Sequence, residues 1–115
     1  MSTLDSVDLV PLICESLKNE VSRHGLPTLL ITASDASYSI ERDPSNQLEV
    51  TVGIWRNAQG YQCGEVRISE DGNLYAEHDV LQTLPQRPDL FVEAVTAWGQ
   101  PSTLKCELRL IPVPQ

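Results

Sequence analysis

The chain is poor in bases, in cysteine and in long apolar runs, and each shortage excludes something. Eight Lys and Arg stand against 16 Asp and Glu, for a formal net charge of −8. So acidic a chain has no general attraction for nucleic acid or an anionic membrane surface; a basic protein partner, or plain solubility, suits it better. Three cysteines, Cys14, Cys63 and Cys106, are odd in number and show no CxxC spacing. That argues against an oxidised, secreted scaffold. No apolar run approaches the ~18 residues of a membrane span. The first residues, MSTLDSVDLV, lack the basic and apolar regions of a signal peptide. The expectation is a cytoplasmic protein that binds neither nucleic acid nor membrane.

Catalytic signatures are missing too. GxSxG, P-loop, GxGxxG and HExxH patterns do not occur, so no catalytic residue and no cofactor is assigned. The best metal-ligand set is Cys63, Glu65, His78 and Asp79. On the expected hairpin His78 faces the core opposite Gly64 while the other three face out. The four diverge, and no metal is expected. Cys63 has acidic neighbours, which raise a thiol's pKa and blunt its reactivity. Glu20 and His24, at i,i+4, read as a structural pair near a helix C-terminus.

What is present fits a single domain, residues 1–115. The chain is 41% hydrophobic and long enough for one core without staples. Residues 8–24 read as a helix: Val10, Cys14, Leu17 and Val21 recur at helical spacing. Asp8 is placed to cap it, Pro11 suits its first turn, and His24-Gly25-Leu26-Pro27 ends it. Residues 28–33 and 36–42 read as strands. Residues 47–56 alternate, with Leu48, Val50, Val52 and Ile54 against Glu49, Thr51, Gly53 and Trp55. Asn57-Ala58-Gln59-Gly60 and Ser69-Glu70-Asp71-Gly72 suit hairpin turns closed by a left-handed glycine. They lead to strands 61–69 and 73–80, with Val52 opposite Val66 and Ile68 opposite Leu74. Residues 88–98 read as a second helix with Phe91, Val95 and Trp98 on its buried stripe, and 103–111 as a final strand.

The expected fold is α+β, a two-layer sandwich of order α-β-β-β-β-β-α-β. Both helices cover one face of a mostly antiparallel sheet of about six strands. The core face carries Ile40, Val50, Val52, Ile54, Val66, Ile68, Leu74, Ala76 and Val80. The place of the last strand stays open.

This register turns Trp55 outward, onto a polar, mostly acidic face with Tyr61, Glu65, Arg67, Tyr75 and Glu77. These six are the candidate binding residues. Trp55 there either covers bare Gly53, anchors an interface or lines a small pocket. The expected function is non-catalytic binding through this face to a protein partner, basic or a second copy as a homodimer. The alternative is a small-ligand-binding protein or enzyme using the facing carboxylates Glu65 and Glu77.

Overall fold

The computed structural model describes residues 7–114. One helix, α1 (Val10–Arg23), precedes six strands: β1 (Ser37–Arg42), β2 (Glu49–Arg56), β3 (Gln62–Ser69), β4 (Leu74–Leu84), β5 (Arg87–Gly99) and β6 (Lys105–Pro112). The strands form one antiparallel sheet in the order β1-β2-β3-β4-β5-β6. The protein is thus α+β with a six-stranded sheet, but the described residues hold one long helix where the sequence suggests two. No helix among the described residues is long and apolar enough to cross a membrane.

Helix α1 ends as its sequence implies. Gly25 takes φ +76°, and the amides of Gly25 and Leu26 donate back to the carbonyls of Ser22 and Val21. This closes the helix with a left-handed glycine, and buried Leu26 follows it. Its start differs: Leu9 holds the N-cap position and no side chain caps the helix, so Asp8 is not the cap. Val10, Ile13, Cys14, Leu17 and Val21 form its buried stripe. Glu20, only 8% exposed, is held by Arg23 at 2.6 Å and His24 at 3.2 Å.

Residues 88–98 are not a helix. They belong to β5, a 13-residue strand. The spacing of Phe91, Val95 and Trp98 suits a helix face, whereas a strand sends Val95 and Trp98 to opposite sides. Two features decide for the strand. Leu84 and Arg87 pair across the two residues Pro85 and Gln86, a connection too short for anything but a hairpin. Val92, Val95 and Thr96 are β-branched and favour an extended backbone. Pro88, which cannot donate to a ladder, falls in the irregular stretch between Leu84↔Arg87 and Thr83↔Phe91. Residues 28–33 do not form the expected strand either. They run irregularly into a 3-10 turn, Ala33–Asp35, and bury Ile31 over the sheet. With β5 antiparallel, β6 needs no crossover and sits at the sheet edge.

The β3–β4 register is as the turns imply: Val66↔Ala76, Ile68↔Leu74, Glu65↔Glu77 and Gly64↔His78. The β2–β3 register is not. The turn itself forms as expected, with Asn57 N–H donating to Tyr61 O and Gly60 N–H to Asn57 O. Beyond it Arg56 pairs with Gln62 but Trp55 pairs with Gly64. Cys63 is an extra residue, a β-bulge. Everything further along shifts by one: Gly53, not Val52, meets Val66, and Thr51 meets Ile68. Because side chains alternate, the whole of β2 turns over.

Trp55 therefore points into the core and is 2% exposed. Its indole N–H donates to the Thr32 carbonyl at 3.0 Å. The aromatic that covers Gly53 is Tyr38, whose ring lies 2.8 Å from where a Cβ would be. Val50, Val52 and Ile54 move to the face away from α1, and Ile40 is 52% exposed. Of the expected core, Val66, Ile68, Leu74 and Ala76 are buried in it, and Val80 packs against it.

The two tryptophans exchange the roles that the sequence suggests. Trp98, on the face away from α1 opposite Tyr75 and Lys105, is only half-buried. Urea unfolding checks this. Trp55→Ala costs about 3 to 5 kcal/mol, as for a fully buried large aromatic, and Trp98→Ala about half that or less. Equal losses contradict the register.

Candidate functional site

The sheet has two unlike faces, and the six residues singled out by sequence are divided between them. Glu65, Arg67, Tyr75 and Glu77 do lie together on the face away from α1. Trp55 is on the opposite face, and Tyr61 sits at the end of the β2–β3 hairpin, 72% exposed. Trp98 joins the outer group.

That outer face is roofed by its own side chains. Arg67 on β3 pairs with Glu41 on β1 at 3.0 Å, so its guanidinium crosses β2. Beneath lie Val50 and Val52, 6% and 3% exposed although α1 packs on the other face. Arg109 on β6 reaches Glu77 on β4 at 2.8 Å and Glu93 at 3.0 Å. It crosses β5 over Ala94 and Thr96, which are also buried. Arginine stems cover apolar surface while their heads stay wet. The facing carboxylates Glu65 and Glu77 are drawn apart by these straps, Glu65 toward Arg67 at 3.9 Å and Glu77 toward Arg109. The Tyr75 hydroxyl also donates to Glu77. Burial, then the Glu77 charge, pushes the Tyr75 phenol up. Two carboxylates held by separate arginines are poorly placed to share a proton.

The other face holds a cleft of about 500 Å³ between residues 27–31 and the sheet. Trp55, Leu29, Leu30 and Val80 give it apolar walls, and Asp35, Arg56, Asn57, Cys63, His78 and Gln82 supply polar groups. Leu30 at its rim is 92% exposed. Leu81, which follows Val80, is 57% exposed and has φ +56°, unusual for a branched side chain. Val80 and Leu81 fall in a second bulge, between Asp79 and Gln82.

Inside the cleft the Cys63 bulge brings together two groups that sequence reasoning sends to opposite faces. Cys63 Sγ lies 3.5 Å from His78 Nε2 and 3.5 Å from the Trp55 carbonyl oxygen. His78 Nδ1 lies 2.8 Å from the Asp79 carbonyl oxygen. A carbonyl only accepts, so Nδ1 carries a hydrogen and the ring turns its Nε2 toward the thiol. The Trp55 indole meets the imidazole edge-on, with ring centroids 6.1 Å apart. Gly64 makes room for the ring: a Cβ there would stand 2.6 Å from His78 Cδ2 and 2.9 Å from the Glu77 carbonyl oxygen.

Burial first, and the Asp79 charge second, push the Cys63 thiol up, so Cys63 rests as a protonated thiol. The sequence does foresee that acidic influence, and also the room that Gly64 leaves for His78. It gives no sign of the bulge that turns Cys63 toward the ring. All three cysteines are free. Among the described residues no three of His, Cys, Asp and Glu gather as a metal set.

No protein-family model matches this chain, and no curated protein or solved structure does.

The Gly64 contact is directly testable. Gly64→Ala drives a methyl into His78 and costs about 1 to 3 kcal/mol. NMR of the His78 ring protons reports the ring's displacement from Trp55. Unchanged ring shifts contradict the close approach.

Proposed function

We propose that this protein binds a small molecule in the cleft beside Trp55. One observation carries the reading: about 500 Å³ of partly apolar cleft converges on a thiol and an oriented imidazole. The volume falls within the range of small-molecule sites, which combine apolar walls with a few placed polar groups. The bare Leu30 in its lining supports it, because a large apolar side chain gains by being covered. Three free thiols suit a reducing compartment, so the proposed setting is the cytoplasm.

Docking of a protein partner on the outer face is a second reading. Tyr75 and Trp98 are neighbours there, with Ile54 on the same face, and each keeps part of its surface open. Acids outnumber bases around them, which favours a basic partner.

The two readings separate in one titration. Amide spectra of the protein are followed as small neutral aromatic fragments are added. Cleft binding moves the amides of Leu29, Leu30, Cys63 and Val80 and leaves those of Lys105 and Glu107 in place. Val80→Trp, which fills the cleft, abolishes the shifts. Fragments that move only Tyr75 and Trp98 overturn the cleft reading in favour of the outer face.

A further inference from the structure

The three thiols stand in unlike surroundings. Cys14 is 4% exposed in the α1 stripe. Cys106 Sγ lies 3.7 Å from the Ser16 carbonyl oxygen. Burial pushes both thiols up. Cys63 alone combines an accessible cleft with a base, since it is half-buried in the cleft wall and 3.5 Å from His78 Nε2.

Resting on the cleft reading, we propose that Cys63 is a nucleophile activated by His78 and that it takes small organic disulfides from the cleft. The step balances. The Sγ–H proton passes to His78 Nε2 as the thiolate attacks one sulfur of the disulfide. The Sγ–S bond forms while the disulfide's own S–S bond breaks. The departing thiolate takes the proton back from Nε2. Cys63 ends oxidised as a mixed disulfide, and half of the disulfide leaves reduced as a thiol.

The geometry meets the requirements for an activated nucleophile. The base is within reach of the thiol, and the Asp79 carbonyl fixes its tautomer at 2.8 Å. The other charges facing the pair are Asp79 on β4, Asp35 on the 3-10 turn and Arg56 on β2. Burial, and then the Asp79 charge, keeps the resting thiol protonated. The trigger is therefore proton transfer within the pair and not a standing thiolate. The neighbouring Trp55 carbonyl is a competing acceptor for the S–H at the same distance. It cannot remove the proton, so the imidazole alone activates.

The test follows release of 2-thiopyridone from 2,2′-dithiodipyridine, with the intact protein in reagent excess. One thiol per chain reacts in a fast phase that Cys63→Ser removes while Cys14 and Cys106 react slowly. His78→Gln slows that phase about tenfold or more at neutral pH, as loss of a general base does. In the native protein the rate already rises on the acid side of the thiol's own ionisation. Without His78 it rises only with that ionisation, a change that a merely structural histidine would not produce. His78→Asn is a second variant should His78→Gln fold poorly, and it slows the fast phase and shifts its pH profile in the same way. A Cys63 phase no faster than the other two thiols overturns the proposal, as does a rate and profile indifferent to His78. Dependence on reagent concentration tests the cleft reading separately. Saturation reports binding before reaction, whether or not His78 matters. A fast, His78-dependent but unsaturating phase supports the activated thiol and removes the binding site.

Discussion

The fold depends on one extra residue in β3. Cys63 has no partner on β2, and that bulge turns Trp55 inward over Gly64. A buried tryptophan removes about 150 to 250 Å² from water, worth roughly 4 to 6 kcal/mol as an upper figure. Its indole N–H also finds the Thr32 carbonyl. The opposing cost is small. Turning β2 over sends Val50, Val52 and Ile54 to the outer face, yet the two valines stay 6% and 3% exposed. Only part of Ile54's burial is forgone, so Trp55 decides the register.

The outer face can accept the valines because two arginines roof it. Arg67 spans β2 to reach Glu41, and Arg109 spans β5 to reach Glu77 and Glu93. Exposed ion pairs contribute only about 0 to 1 kcal/mol each. Their larger service is to lay aliphatic stems over Val50, Val52, Ala94 and Thr96. The sheet thus keeps a solvated side, as antiparallel sheets can. The same bulge that buries Trp55 places Cys63 beside His78, so packing and the proposed chemistry share one cause.

Local signals were legible where local interactions decide. The end of α1 follows from Gly25, both glycine-closed turns formed, and β3–β4 and β6 lie close to their expected places. The six-strand total also agrees, though with β5 in place of 28–33. What failed depends on tertiary contacts. Phe91, Val95 and Trp98 fit a helical stripe, and the Leu84↔Arg87 hairpin with the β-branched Val92, Val95 and Thr96 overrides it. Residues 28–33 are apolar like a strand, but they serve as a cover over Trp55. Alternation in β2 is clean, and it reports a sorted strand without saying which side meets the helix. For the candidate site, Glu65, Arg67, Tyr75 and Glu77 were correctly grouped on one face, while Trp55 and Tyr61 were not. Trp98 and Arg109 were missed because their strand was read as a helix or as an isolated element. The approach of Cys63 to His78 was hidden because a bulge leaves no mark in residue spacing.

The central claim is the pairing of β2 with β3, and interstrand backbone NOEs in the native protein test it most directly. The account predicts contacts that pair Gly53 with Val66 and Thr51 with Ile68, with Cys63 left without a partner. Contacts that pair Val52 with Val66 and Val50 with Ile68 would contradict it, returning Trp55 to the outer face and parting Cys63 from His78.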